Sequence, residues 1–148
     1  KGTGIMNTLF DSYQPWAGNI SHRQSGVLIA DRPGKITTYA SLGMVDRGEL
    51  YLEVGTEVYK GMVLGKRNRP DDLDVNITKE KKLTNMRASS SDATVVLRPP
   101  QNLSLDQCIE FIAEDELIEI TPKNIRMRKM ELDSNKRISA AKKKKEGK

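Results

Sequence analysis

The sequence predicts an α+β domain that is mainly β, with a small β-barrel or curved antiparallel sheet, two or three packed helices and one long basic loop. Many short segments alternate apolar and polar residues or run apolar, and Gly- or Pro-containing turns separate them. Stretches with helical periodicity are few and short. The sequence therefore lacks the alternation of strands with long helices that is typical of a doubly wound parallel sheet. Residues 66–93 are polar and basic without sustained apolar periodicity, which is typical of a functional loop.

The first half of the chain is predicted to hold five strands and one short helix. Residues 26–30 form a short, branched apolar run, typical of a buried strand, and the Asp31–Gly34 turn follows it. Residues 49–53 alternate strictly, which indicates a half-buried strand. In chain order, the predicted strands are residues 4–14, 26–30, 36–39, 49–53 and 58–65, with one or two helical turns over residues 40–47.

The second half is predicted to hold three strands and two helices. Ser104 and Gln107 fit a capping box at a helix start, and we interpret Cys108 in the apolar stripe of that helix as a small buried hydrophobic residue. The carboxylates that we interpret as a solvated face are those of Asp115, Glu116 and Glu119. The predicted strands are residues 95–97, 116–120 and 125–130, and a Lys- and Ala-rich helix covers residues 131–146. Many short strands with a few helices packed on them favour an OB-like arrangement.

Charge is distributed unevenly along the 148 residues, whose net charge is +5. Residues 123–148 hold 11 basic and 3 acidic groups, whereas residues 1–122 carry a net charge of −3. Residues 60–98 hold 9 basic and 5 acidic groups, and residues 104–120 hold 6 acidic and no basic ones. A basic face attracts phosphates and an acidic face elsewhere disfavours wrong orientations, so the pattern indicates a polyanionic partner. The alternative for the lysine run is a solvated helix end that keeps the protein soluble.

Several kinds of site are excluded by residue content. Cys108 and His22 are the only residues of their types, which leaves no intramolecular disulfide, multi-cysteine zinc site or multi-histidine cluster. Ile36 interrupts the Gly-Lys-Thr order that a phosphate-binding loop requires. The acidic run from Asp71 has Lys82 where a calcium loop needs Glu. No apolar run reaches the roughly 20 residues of a membrane helix. We therefore expect no catalytic residues, no metal and no membrane span.

The long basic segment is the sharper functional candidate. Lys and Arg supply charge to phosphates, and Asn offers a donor and an acceptor to bases or ribose hydroxyls. An ordered but idle surface loop remains the alternative. The predicted RNA-binding residues of this segment are Lys66, Arg67, Asn68, Arg69, Lys79, Lys81, Lys82, Asn85 and Arg87. On the predicted strand 125–130, Arg126, Arg128 and Lys129 are further candidates, although arginine stems there also suit covering the core.

Residue strings along almost the whole chain resemble the C-terminal region of the BipA/TypA translational GTPases. Gly55–Gly65 (GTEVYKGMVLG) and Asn68–Asn76 (NRPDDLDVN) are characteristic of that family. The further matching strings are Gly2–Met6, Arg47–Tyr51, Lys82–Arg87 and Asp115–Lys129.

The resemblance implies a ribosome-binding domain rather than an enzyme. Proteins of this family are related to elongation factor G and are linked to large-subunit assembly and to growth under cold or other stress. By resemblance, residues 66–93 reach toward the acceptor end of A-site tRNA and large-subunit rRNA. The alternative function is a structural or protein-interaction domain that positions the GTPase and touches RNA only through its lysine tail.

The resemblance also implies a division of the chain. Residues 1–14 correspond to the last strand of a preceding elongation-factor-G-like domain, residues 15–130 to the family's C-terminal domain, and residues 131–148 to a basic helical or disordered tail. GTP and Mg²⁺ would bind in a GTPase domain upstream of this chain, so no cofactor is expected here. The expected partners are the ribosome and A-site tRNA, with no small-molecule substrate and no membrane, for a cytoplasmic monomer.

Overall fold

The structure, a computed structural model, describes residues 7–16, 23–81, 97 and 99–146. It contains eight strands and three helices in these residues, which confirms an α+β, mainly β domain. The strands are β1 Val27–Ala30, β2 Gly34–Lys35, β3 Gly48–Leu50, β4 Glu57–Val58, β5 Val63–Arg67, β6 Leu73–Val75, β7 Glu116–Ile120 and β8 Ile125–Lys129. The helices are α1 Thr38–Leu42, α2 Leu105–Phe111 and α3 Ser134–Glu146. None of these helices is long and apolar enough to cross a membrane.

Strand β1 lies inside the main sheet, whose order is β3-β5-β1-β6. It pairs antiparallel with β5 and parallel with β6, with Leu28 opposite Gly65 on one side and Leu73 on the other. All four residues of β1 are fully buried, which confirms the buried strand that its apolar run predicts. The parallel pairing differs from the purely antiparallel sheet expected from the sequence.

Two further pairs of strands stand apart from the main sheet. Strands β2 and β4 form one antiparallel pair, and β7 and β8 form a five-residue hairpin. The hairpin meets the main sheet through an isolated bridge between Met62 and Arg128 and a 2.9 Å hydrogen bond from Lys129 N to Gly61 O. Within the described residues the three sheets do not close into a barrel, so the barrel alternative is not borne out there and the OB-like arrangement stays a prediction. A single bridge cannot supply the continuous ladder that closure requires.

The core consists of two clusters, one against each face of the main sheet. Alternate residues of β1 belong to different clusters, because successive side chains in a strand point to opposite faces. The first cluster comprises Leu28, Ala30, Ile36, Ala40, Met44, Val58, Met62, Leu64, Val75 and Ile77. The second comprises Val27, Ile29, Tyr51, Val63, Cys108 and Met127 and joins α2 and the hairpin to the sheet.

Side-chain caps fix where the first two helices begin. The Thr37 hydroxyl accepts a 3.1 Å hydrogen bond from Ala40 N, so α1 begins within the predicted strand 36–39, and that prediction is wrong. Ser104 and Gln107 form the predicted capping box, with Ser104 N donating to Gln107 Oε1 at 2.9 Å and Gln107 N to Ser104 Oγ at 3.3 Å. Cys108 is buried in α2, as predicted.

Other element predictions need correction. The segment 66–93 is not one loop, because β5 continues to Arg67 and β6 covers Leu73–Val75. Residues 7–14, predicted as part of a strand, have no strand pairing, and Leu97 lies outside any strand. The rest of these predictions, on residues 4–6, 82–93, 95 and 96, lies outside the described residues. The predicted strand 58–65 is split into β4 and β5 by a turn at Lys60–Gly61.

Candidate nucleic-acid interface

An ordered turn between β5 and β6 carries the first group of predicted RNA-binding residues. Lys66 near the end of β5 and Asn68 and Arg69 in the turn are exposed. Gly26 N donates to Arg69 O at 2.7 Å, which ties the backbone of the turn to the residue preceding β1. The turn therefore presents its polar side chains from a backbone fixed to the central strand.

Arg67, also predicted to bind RNA, instead shapes this turn. Its side chain is 11% exposed and forms a 2.5 Å ion pair with Asp71. Its Nη1 also donates to the carbonyl oxygens of Asp71 at 2.8 Å and Asp72 at 3.2 Å. The Arg67 hydrogen bond holds the pKa of the Asp71 carboxyl below its ordinary value. A guanidinium engaged in this way has little capacity left for a phosphate.

A cleft of about 300 Å³ lies beside the turn and adds a residue that the sequence analysis missed. Asn68 N donates to Arg47 O at 2.9 Å, and Asn68 Nδ2 donates to Asp46 O at 3.3 Å. The residues that line the cleft are Asp46, Arg47, Arg67, Asn68, Arg69 and Leu73. The β3–β5 pairing of Gly48 with Arg67 brings Arg47 here, so a register prediction for β3 would have found it.

The exposed arginines of the cleft suit a phosphate group. Arg47 and Arg69 are exposed, and among the described residues neither forms a hydrogen bond or an ion pair through its guanidinium. Guanidinium groups bind phosphate oxygens in bidentate fashion. Asn68, next to Arg69 in the sequence, adds an amide group to the lining of the cleft. The Asp46 carboxylate offsets part of the positive charge. The cleft can thus take one or two phosphates of a polyanion.

Lys79 and Lys81 form the second described group, just after β6. Both are exposed. The Thr37 hydroxyl donates to Lys79 O at 2.6 Å, Thr37 N donates to Ile77 O at 3.1 Å, and Ile77 is buried. These contacts attach the segment to the start of α1. Lys82, Asn85 and Arg87 lie outside the described residues and stay predictions.

Lys129, predicted to contact RNA, points into the protein. It is 1% exposed, and its ammonium forms ion pairs with Asp72 at 2.5 Å, Asp115 at 2.8 Å and Glu116 at 2.9 Å. The alternation of β8 explains this position, because Lys129 shares the inward face with Met127. Because three carboxylates already engage its ammonium, Lys129 is poorly placed to contact a phosphate. The ion pairs raise the pKa of Lys129 even though burial opposes its charge.

Glu116 is the acidic centre of the same cluster, and its interpretation as part of a solvated face is wrong. It is 3% exposed and accepts hydrogen bonds from both terminal nitrogens of Arg23, at 2.7 and 2.8 Å. Burial opposes its ionisation, but the Arg23 and Lys129 hydrogen bonds outweigh burial and hold the pKa of Glu116 below its ordinary value. The Arg23 guanidinium also lies 4.7 Å from the centre of the Phe111 ring. The sequence analysis missed Arg23, which sits in a segment with no periodicity.

This buried ionic cluster connects the hairpin to the turn that carries Asn68 and Arg69. Asp72 contacts both β1 and the hairpin. Its Oδ1 accepts a hydrogen bond from Val27 N at 3.0 Å, and its Oδ2 forms an ion pair with Lys129. The hairpin, β1 and the start of β6 thereby share one set of charges.

Arg126 and Arg128 lie on the outward face of β8 and are half-buried. Arg128 forms a 2.7 Å ion pair with Glu119, which also accepts a 2.6 Å hydrogen bond from the Tyr59 hydroxyl. Arg126 lies opposite Glu119 in the hairpin register. Both arginines therefore cover the hairpin in part, as their stems suggest, and they are less available to phosphates than Arg47 and Arg69.

Comparisons with known proteins agree on one family. A family model described as the TypA/BipA C-terminal domain matches residues 25–134. The chain is 47% identical over 146 residues to the large ribosomal subunit assembly factor BipA of Bacillus subtilis. The aligned region covers 98% of this chain and 24% of that protein. The proteins of that name from Salmonella typhimurium and Synechocystis are 47% and 44% identical, covering 95% and 88% of this chain but 23% and 22% of their own lengths.

The chain spans about a quarter of the length of these relatives. The family model covers most of the chain, including all eight strands and the buried ionic cluster apart from Arg23. The residue strings singled out in the sequence agree with this match. The chain belongs to the TypA/BipA C-terminal domain family.

Proposed function

We propose that this chain is the ribosome-binding domain of a BipA/TypA-type translational GTPase that acts in assembly of the large ribosomal subunit and in adaptation to cold or other stress. The observation that carries the proposal is the cleft with exposed Arg47 and Arg69, in a chain whose relatives are named large ribosomal subunit assembly factors. The ligand is RNA: large-subunit rRNA and the acceptor end of A-site tRNA.

The proposed contact residues are those whose cations face solvent. Arg47 and Asn68–Arg69 would hold backbone phosphates at the cleft, and Lys79 and Lys81 would extend the contact along the segment after β6. Lys66 lies beside the turn and adds charge to it. From the sequence alone, Lys82, Asn85 and Arg87 continue the same contact.

The proposed role is binding, with no catalysis by this chain. GTP and Mg²⁺ would be held by a GTPase domain outside these residues, as the family resemblance implies. We assign the domain to the cytoplasm, where ribosome assembly would bring it to its partner, and expect it to act as a monomer without a small-molecule substrate. The proposal for location rests on the names of the relatives.

The test is binding of the full 148-residue chain to purified large ribosomal subunits across a range of salt concentrations. Each phosphate neutralised contributes about 0.9 to the slope of log affinity against log salt, so R47A/R69A should lower that slope by roughly 2. A matched control, K35A/K123A, removes two exposed cations that do not line the cleft and should change the slope less. Circular dichroism checks that both variants fold.

The possible results separate the two functions named in the sequence analysis. Absence of binding by the wild-type chain, or binding insensitive to salt, contradicts the proposal. Normal binding by both R47A/R69A and K79A/K81A, together with loss of binding on removal of the lysines of α3, would instead favour the structural domain with only tail contact. A defect in R47A/R69A that exceeds the control supports the cleft as an RNA contact.

A further inference from the structure

Helix α3 is fixed to the body at its first turn by acidic residues. Asp133 pairs with Lys60 at 2.8 Å, while its other carboxylate oxygen accepts hydrogen bonds from Asn135 N at 2.9 Å and Lys136 N at 3.4 Å. Asp133 therefore caps the helix and ties it to the turn before β5 at once. The Lys60 hydrogen bond, with those from the backbone, holds the pKa of the Asp133 carboxyl below its ordinary value.

A second anchor ties the helix to the edge of the main sheet. Arg137 forms an ion pair with Asp74 of β6, and its Nη1 donates to the carbonyl oxygens of Glu131 at 2.9 Å and Leu132 at 3.0 Å. Leu132 itself lies against Gly61, so closely that a Cβ atom on Gly61 would be 2.8 Å from Leu132 Cα. The start of α3 is therefore fixed at two places on the body, the Lys60–Gly61 turn and β6.

Beyond this anchor, the helix buries no face among the residues whose side chains the structure describes. Residues 138–143 are all exposed, including Ile138, and Lys136, Lys142 and Lys143 present their charges to solvent. Glu146 is the only acidic residue of α3, whose 13 residues span about 20 Å. A helix with this composition lacks the apolar stripe that a protein partner would cover, and its charge complements a polyanion.

We propose that α3 is a positioned basic arm for an RNA backbone and that Asp74 and Asp133 are the positioning residues that orient it. The proposal deepens the proposed function and rests on it. Carboxylates near an RNA contact ordinarily weaken binding by repulsion. Here they hold a helix whose lysines would otherwise sample many directions, so they lower the entropy lost when the arm engages phosphates.

The test removes the two anchoring charges and leaves every cation in place. D74N/D133N raises the net charge by 2, and Asn at position 133 preserves the cap while the ion pair with Lys60 is lost. The matched control E53Q/E110Q makes the same charge change at two exposed carboxylates away from α3. Binding is measured by fluorescence anisotropy with a labelled RNA duplex of about 20 base pairs at low salt.

Simple electrostatics predicts that both variants bind RNA more tightly than the wild type. The positioned arm predicts that D74N/D133N binds about 3- to 10-fold more weakly than E53Q/E110Q, because the arm must be ordered on binding. In a K136A/K142A/K143A/K144A/K145A background, which lacks all five lysines of α3, the difference between the two variants should disappear. Trypsin should also cleave after Arg137 faster in D74N/D133N than in the control.

Three results would overturn the assignment. Affinity of D74N/D133N equal to or above that of the control, while the wild-type chain binds RNA, refutes the positioning role and leaves the proposed function intact. Persistence of the defect in the background without the α3 lysines points to a general structural fault instead. Failure of the wild-type chain to bind RNA overturns the proposed function and this assignment together.

Discussion

Replacement of Lys129 by Met tests how strongly the buried ionic cluster stabilises the domain. Met keeps most of the apolar stem but removes the ammonium, so among the described residues Glu116 keeps one cationic partner, Arg23. Removing one partner from a buried ion pair costs about 3–5 kcal/mol. Because Arg23 still binds Glu116 through two hydrogen bonds, and Asp72 and Asp115 are partly exposed and can be hydrated, we expect the lower end, about 3 kcal/mol.

Urea unfolding at neutral pH measures this cost directly. Domains of this size unfold with about 5–15 kcal/mol in total, so K129M should lose a large fraction of its stability and melt roughly 12 °C lower. The control K66M removes an exposed lysine from the neighbouring β5 strand and should change stability by less than about 0.5 kcal/mol. If K129M and K66M unfold at the same denaturant concentration, the reasoning about the cluster is refuted.

Two further predictions concern acid and the Lys60–Gly61 turn. Because the pKa of Glu116 is lower in the folded than in the unfolded state, its contribution to the free energy of unfolding is present at neutral pH and lost as the pH falls below about 4.3. Urea unfolding from pH 7 to pH 3 should show this loss of stability. The variant E116Q should lose less stability over the same pH range. G61A should cost more than G55A, about 2–3 against about 1 kcal/mol, because both glycines have positive φ but only at Gly61 would a Cβ atom meet Leu132. Equal melting temperatures of G61A and G55A would contradict the role of the Gly61–Leu132 contact. A stability profile of E116Q that falls with pH in parallel with that of the wild type would contradict the prediction for Glu116.

Local chemistry made some elements predictable. The capping box of Ser104 and Gln107 and the apolar run of β1 each carry their signal within a few adjacent residues, and the structure confirms both. Thr37 misled the prediction because a β-branched residue suits a strand, whereas its hydroxyl here caps α1.

Long-range pairing was beyond the sequence. The parallel contact of β1 with β6 depends on residues about 45 positions apart, and β6 is only three residues long, too short for a recognisable alternation. Lys129 looked like a surface cation because its acidic partners are distant in sequence, with Asp72 just before β6 and the adjacent Asp115 and Glu116 at the start of β7. Part of the candidate interface was found from basic composition, but Arg47 required the β3–β5 register.

The interior position of β1 has a consequence for synthesis of the chain. All its side chains are apolar and buried, yet its partners β5 and β6 are made later, the second about 45 residues on. At 5–20 residues per second, translation leaves the strand without its neighbours for roughly 2 to 9 s. During that interval an apolar strand with two unpaired edges is exposed, which is the kind of segment that chaperones bind and that aggregates when they do not.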